Sequence, residues 1–395
     1  MGAATRVPGG QAAGAVGAGG QGGGGQGAGT SSPGAGGGAG ERAGDGAYLD
    51  LALRLAASVR RRTSPNPWVG AVVVAEDGRG RSVVGSGATE PPGGRHAEIV
   101  ALQAAGEAAA GATLYVTLEP CAHTGRTGPC ADAVVAAGIT RVVVGVVDPD
   151  PSVAGRGLAR LGAAGVEVTV GVRAVEVAEQ LAPYLHQRRT GRPFVVLKLA
   201  TTLDGRIAAP DGSARWITGP AARADGHRLR ADADAVLVGA GTVRADDPAL
   251  TVRTAGDANV GGPAGPLAQP LRVVLGRAPA GARVQPALEL SGEPATVLDE
   301  LGRRGVLQLL VEGGARVAHD LHAAGLVDRY VLYLAPALAG GDDARPAFAG
   351  AGAPDVASLW RGRMVEVTRL GDDLKVVLEP TATPGSIGAF EAEEG

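Results

Sequence analysis

LYVTLEPCAHTGRTGPCADAVVAAGITRVVVGVV, residues 114–147, decides the fold. Residues 114–118 read as a short apolar strand, 130–137 as a helix, and 141–147 as a second, Val-rich strand. The alternation extends in both directions. Upstream, 48–60 has apolar residues at helical spacing, 69–74 and 83–89 read as strands, and 96–109 reads as a helix. Downstream, 155–164 reads as a helix and 166–170 as a strand. Strands alternating with helices at this spacing predict α/β layers.

HQRRTGRP at 186–193 is polar and carries Gly and Pro, as a domain boundary does. A second α/β pattern follows, with strands expected at 194–200, 235–239, 271–275, 306–311 and 329–335. Helices are expected at 220–230 and 315–324, a polar turn at 242–248, and a hairpin over 364–378 that turns at 371–373. The reading is therefore two α/β domains, 46–190 and 191–380, between tails at 1–45 and 381–395. The first tail is Gly, Ala, Gln and Ser with little to bury, so ordering it would not be offset by burial. Its chance matches to G-x-G-x-x-G follow no strand and open no helix, so they carry no dinucleotide role.

A chain of 395 residues suits two domains. Hydrophobic residues make up 45% but aromatics only 3%, so the cores must be built from Val, Leu, Ile and Ala. A net charge of −3 without a basic run argues against a nucleic-acid partner. No stretch has the apolar core of a signal peptide or the length of a membrane span, and a reducing, cytoplasmic setting is expected. Among 37 Lys plus Arg, only Lys198 and Lys375 are lysines. Where Arg is the default cation, a surviving Lys is a candidate for chemistry, although chance explains either one equally well.

The two cysteines, Cys121 and Cys130, make no disulfide framework, and their setting reads as metal ligation. His96-Ala97-Glu98 opens a helix, and Glu119-Pro120-Cys121 precedes Cys130 by eight intervening residues. One imidazole and two thiolates bind Zn²⁺ and keep a fourth position for water, the mark of a catalytic site. Such a site lowers the water's pKa to about 7. Glu98, two residues from a ligand, is placed to carry the proton to the ring nitrogen and then to the leaving amine, as in zinc nucleobase deaminases with H-x-E and P-C-x-x-C. The spacing here is longer, and His123 and Arg126 in the inserted loop suit an anionic substrate group. That favours a phosphorylated small molecule over a polynucleotide. Asn66, in Ser64-Pro65-Asn66-Pro67-Trp68, offers an amide to a base edge, or simply forms a turn. A purely structural metal site is the competing reading, opposed by the three-ligand set.

These motifs resemble the bifunctional diaminohydroxyphosphoribosylaminopyrimidine deaminase and 5-amino-6-(5-phosphoribosylamino)uracil reductase family of riboflavin biosynthesis. The matching strings are NPWVG at 66–70, HAE at 96–98, TLEPCAHTGRTGPC at 117–130 and DPDPSVAGRGLARLGAAGVEV at 148–168. They continue as RTGRPFVVLKLATTLDGRIA at 189–208, RWITGP at 215–220, GAGTVRADDPALTVR at 239–253, VEGG at 311–314 and LAPALAGG at 334–341. The resemblance implies a cytidine-deaminase-like α/β/α sandwich with zinc on His96, Cys121 and Cys130, then a dihydrofolate-reductase-like domain using NADPH. It assigns Ala200, Trp216, Thr242, Asp246, Gly314, Ala315 and Arg316 to the cofactor. It assigns Arg230, Leu250, Arg253 and Glu312 to the substrate, and Lys198 to the neighbourhood of the reacting sugar. Arg suits the ribosyl phosphate, because its fork pairs two oxygens. The implied partner is a small phosphoribosylated pyrimidine, with neither nucleic acid nor membrane, and a homo-oligomer is compatible. Ala214, Gly276-Arg277 and a short 276–305 region depart from the family pattern. They leave open an active deaminase with a degraded or differently specific reductase. His319 and His322 lie one turn apart and read as a solvated or capping helix face.

Overall fold

The computed structural model describes residues 42–78, 80–122, 128–252 and 269–381. The first half contains Asp45–Thr63 (α1), Gly70–Asp77 (β1), Gly80–Ala88 (β2), Ala97–Ala105 (α2), Thr113–Leu118 (β3), Cys130–Ala136 (α3) and Arg141–Val146 (β4). Arg156–Ala163 (α4), Glu167–Val170 (β5), Ala174–Gln180 (α5) and Ala182–Thr190 (α6) complete it. Its sheet runs β2-β1-β3-β4-β5, antiparallel through β2-β1-β3 and parallel through β3-β4-β5. All six residues of β4 are buried, because helices cover both faces of a parallel sheet. Strand alternation sorts the core. Val72, Val74, Tyr115 and Val143 pack with Leu49 and Ala52 of α1, whereas Val73, Leu114, Val116 and Val144 form the opposite face.

The second half contains Phe194–Thr202 (β6), Arg206–Ala208 (β7), Pro220–Ala231 (α7), Ala235–Gly239 (β8), Ala240–Asp246 (α8), Leu271–Leu275 (β9), Leu288–Leu290 (β10) and Pro294–Arg303 (α9). Gln308–Glu312 (β11), Ala315–Ala323 (α10), Arg329–Ala335 (β12), Arg345–Pro346 (β13), Gly362–Leu370 (β14) and Asp373–Pro380 (β15) follow. The eight-stranded sheet runs β10-β9-β8-β11-β6-β12-β15-β14. It is parallel from β10 to β12, and the β14–β15 hairpin closes it antiparallel. Val195, Leu197 and Leu199 of β6 face one core, while Phe194 and Val196 face the other. The last turn of α1 reaches this half: Arg61 pairs with Asp232 at 2.6 Å, and Arg60 donates to Gln308 at 2.6 Å.

Four local expectations change. The first helix starts within the expected tail, because Asp45 is fully buried and paired with Arg141 at 2.8 Å. The polar stretch at 186–193 is helical to Thr190 and stops at Gly191, whose φ of +74° suits only a residue without Cβ strain. The 242–248 stretch, read as a turn, is mostly α8, with Val243 buried beneath it. The short 276–305 region holds β10 and the amphipathic α9, whose Val297, Leu298 and Leu301 are buried. Among the described residues, no helix is long and apolar enough to cross a membrane.

Candidate active sites

His96 precedes the first residue of α2, Cys121 follows β3 by three residues, and Cys130 is the first residue of α3. All three sit where the parallel strands end, the side on which open α/β sheets bind ligands. Helix α2 reaches that place because β2 offers glycine: a Cβ on Gly87 would lie 2.7 Å from the backbone of both Ala97 and Ala101. The Nδ1 of His96 lies 3.2 Å from the Sγ of Cys130 and 3.6 Å from the Sγ of Cys121. The three ligand atoms lie within 4.8 Å of one another, the one such cluster among the described residues. Bonds of about 2.0–2.3 Å to a tetrahedral zinc place its ligands roughly 3.5–3.8 Å apart. The donor set and spacing therefore fit Zn²⁺.

The site's electrostatics favour proton transfer. Glu98 is 4% exposed, and burial pushes its carboxyl up to about 7. The hydrogen bond with Cys130, joined by His96, holds the Cys121 thiol well below its ordinary range despite burial. Asn66, His96, Glu98 and Cys121 line one cavity of about 210 Å³. Its other wall was not singled out in the sequence: Asp148, Asp150, Ser152 and Val153 from the β4–α4 loop, with Tyr184 and Arg188 from α6. The signal was present in the DPDPSV string, whose Asx turns (Asp150 N–H to Asp148, Ser152 N–H to Asp150, both 2.9 Å) shape that loop.

The second constellation lies at the matching end of the larger sheet. Glu312 is in register with Lys198 on neighbouring parallel strands, on the face covered by α7. Arg230 of α7 donates to both Glu312 oxygens, at 2.7 and 2.9 Å, and to the Thr251 carbonyl at 2.7 Å. The fork expected to hold a phosphate is thus closed on Glu312. Burial pushes the Glu312 carboxyl up, but Arg230 and Lys198 outweigh it and hold it below its ordinary range. The Nζ of Lys198 lies 5.7 Å from the ring of Tyr333, which donates to Asp225 at 2.7 Å. Ala200 is in register with Tyr333.

The expected cofactor residues form a second group. Gly313 and Gly314 have φ of +93° and +86° and lead into α10 at Ala315, next to exposed Arg316. A Cβ on Gly314 would lie 3.1 Å from the Oγ1 of Thr242, so the diglycine turn and α8 meet. Arg215 donates to the Asp246 carbonyl, which brings the neighbouring Trp216, 71% exposed, to α8. Leu250 is buried with φ +51°.

His123 and Arg253 lie outside the described residues. His322, expected on a solvated face, packs in an aromatic cluster with Tyr330, Phe348 and Trp360 and shares a 2.8 Å hydrogen bond with Tyr330. Lys375, the other lysine, pairs with Asp225 at 3.4 Å and Glu366 at 3.3 Å.

Comparison with known proteins matches both halves. Residues 43–146 match the cytidine and deoxycytidylate deaminase zinc-binding region, and 193–376 match the RibD C-terminal domain. The riboflavin biosynthesis protein RibD of Mycobacterium tuberculosis is 45% identical over 84% of this chain and 96% of its own length. That of Escherichia coli is 40% identical over 83% and 97%. The solved Acinetobacter baumannii RibD superposes with a TM-score of 0.78 at 37% identity, covering 86% of this chain and 99% of its own. The Thermotoga maritima diaminohydroxyphosphoribosylaminopyrimidine deaminase/5-amino-6-(5-phosphoribosylamino)uracil reductase has a TM-score of 0.75 at 32% identity, covering 85% and 99%.

Proposed function

Because this chain belongs to the RibD family of riboflavin biosynthesis, we propose that it performs two consecutive reactions on one phosphoribosylated pyrimidine. The first half deaminates diaminohydroxyphosphoribosylaminopyrimidine: water replaces an amino group, and ammonia leaves. The second half reduces the ribosyl unit of 5-amino-6-(5-phosphoribosylamino)uracil to ribityl, consuming one hydride and one proton. The observation that carries this reading is the pairing, in one chain, of the His96–Cys121–Cys130 cluster beside buried Glu98 with the Lys198–Glu312–Arg230 constellation.

Zinc held by His96, Cys121 and Cys130 supplies Lewis acidity to the attacking water, and NADPH supplies the hydride. Glu98 takes the proton from that water and delivers it to the ring nitrogen and then to the leaving amine. A carboxyl poised near neutrality does both. The Asn66 amide orients the pyrimidine edge within the cavity. In the second half, Lys198 stabilises negative charge that develops on a sugar oxygen. Glu312, held by Arg230, accepts hydrogen bonds from sugar hydroxyls. Thr242, Asp246, Trp216 and the turn at Gly314-Ala315-Arg316 would hold the cofactor, and the α10 N-terminus would offer N–H groups to an anionic group. His123 and Arg253 are assigned to substrate binding.

We assign the deaminase domain to 45–190, which takes in buried Asp45, the reductase domain to 191–380, and the setting to the cytoplasm, with no nucleic-acid or membrane partner. A degraded reductase is not favoured: the 276–305 region keeps a paired strand and a packed helix, and the RibD C-terminal match spans it. Mass spectrometry of the products tests the reading. Zinc-loaded protein with substrate alone should accumulate the deaminated pyrimidine, and adding NADPH should convert it to the ribityl form.

A further inference from the structure

Glu119 stands two residues before the expected zinc ligand Cys121, is 4% exposed, and among the described residues takes its hydrogen bonds from backbone N–H groups. A buried carboxylate is costly unless it is satisfied. Here four backbone N–H groups satisfy it. One oxygen accepts from Asp148 at 3.2 Å and Gly155 at 3.0 Å; the other accepts from Gly157 at 2.9 Å and Leu158 at 3.4 Å. Gly157 and Leu158 lie in the first turn of α4, whose N–H groups have no partner within the helix. Glu119 therefore caps α4 from the segment that follows β3 and gathers both ends of the 148–158 loop onto one side chain. Gly157 is seated so closely that a Cβ there would overlap the Pro120 carbonyl. At its far side the loop is tied again, because Tyr184 donates to Asp148 at 2.9 Å. The middle of the loop, Asp150, Ser152 and Val153, lines the cavity.

We propose that Glu119 is a positioning residue of the deaminase site, fixing the substrate-facing wall in register with the metal ligand presented by the same short backbone segment. This rests on the deaminase reading above. Glu119 also borders the cavity, but both its oxygens are taken by the N–H groups of the loop, so it acts through the loop. Its removal should therefore weaken binding of the pyrimidine more than it slows the chemistry.

The test is Glu119→Gln in the full, zinc-loaded chain. The amide keeps the shape, but its NH₂ faces two of the four N–H donors. Ammonia release is measured against the concentration of the phosphoribosylated diaminopyrimidine, and reduction of the deaminated intermediate is followed in the same preparation. The expected result is a rise in KM for deamination of about tenfold. The kcat should stay within about twofold, with zinc content and reductase activity at the parent's level. An unchanged KM, or loss of zinc with kcat, would overturn the proposal. If Glu119→Gln does not fold, Gly157→Ala leaves Glu119 in place and displaces the same loop from Pro120; the same KM rise is expected, and an unchanged KM overturns the proposal. If the parent itself releases no ammonia, the functional reading fails instead. Hydrogen exchange then decides the clamp alone: the Gly155, Gly157 and Leu158 amides should be protected in the parent and exposed in Glu119→Gln, and equal protection overturns it.

Discussion

The Nδ1 of His96 lies 3.2 Å from the Sγ of Cys130, although 34 positions separate them in the chain. The meeting follows from topology: α2 and α3 both begin at the end of the sheet where β3 finishes. Replacing Cys130 with Ser should therefore cost zinc affinity at least about a hundredfold, since even residues that merely orient a ligand are worth roughly 10- to 100-fold. Deamination should fall with the zinc, and reduction of the deaminated intermediate should persist. Metal analysis beside the two assays checks this; full zinc occupancy in the variant would contradict the ligand assignment.

Glu98→Gln should separate metal binding from proton transfer. Zinc should stay at the parent's level, while the kcat for deamination falls by about 10²–10⁴. Retained turnover at full zinc would remove Glu98 from the mechanism.

The metal site was legible in the sequence because chemistry restricts it to few residue types: His96, Glu98, Cys121 and Cys130 are local, ordered motifs. Strands β8, β9 and β12 were read to the residue, because buried apolar runs end where polar residues begin. Helix α9 was missed because its first turn is Pro-Ala-Thr-Val, and its buried stripe of Val297, Leu298 and Leu301 is short. Glu119 sits in the Glu-Pro-Cys motif, but its role is not legible there. Its four partners lie on a loop some thirty residues downstream, and only the folded chain brings them together. The closure of Arg230 on Glu312 is likewise a tertiary fact, since the two residues are 82 positions apart.

Arg230→Ala strips Glu312 of two hydrogen bonds. Breaking a buried pair costs about 3–5 kcal/mol; with side chains 12% and 13% exposed, roughly 2–3 kcal/mol is expected here. The Glu312 carboxyl is held below its ordinary range, so the stabilisation is present above the usual Glu pKa of about 4.3 and is lost as pH falls through the depressed value. The gap in Tm between parent and variant should therefore narrow below about pH 4. Reductase kcat/KM should fall at least about tenfold with deamination unchanged. A gap constant with pH would contradict the ion-pair account.

Asp328 gives the opposite slope. Burial pushes its carboxyl up to about 7, against the 2.7 Å hydrogen bond it accepts from the Val195 N–H. The neighbouring His186 ring is pushed down to about 4 by burial and offers no charge at neutral pH. A raised folded pKa contributes stability that is fully present below about pH 4 and lost as pH rises through about 7. Asp328→Asn keeps an acceptor for Val195 and removes the charge. It should be more stable than the parent at about pH 8 by roughly 1–2 kcal/mol, a figure reduced because the Asp328 side chain is 26% exposed. At about pH 4 it should show no gain. Denaturant unfolding at the two pH values checks this; an equal difference at both would contradict it.

The most direct measurement follows ammonia release and NADPH oxidation separately, with zinc-loaded protein and the phosphoribosylated diaminopyrimidine. The two-step assignment predicts ammonia without NADPH and, once NADPH is added, one oxidation for each ammonia released. NADPH oxidation abolished in Lys198→Ala, with ammonia release intact, would complete that result. Folded, zinc-bound protein that yields neither signal would contradict the assignment.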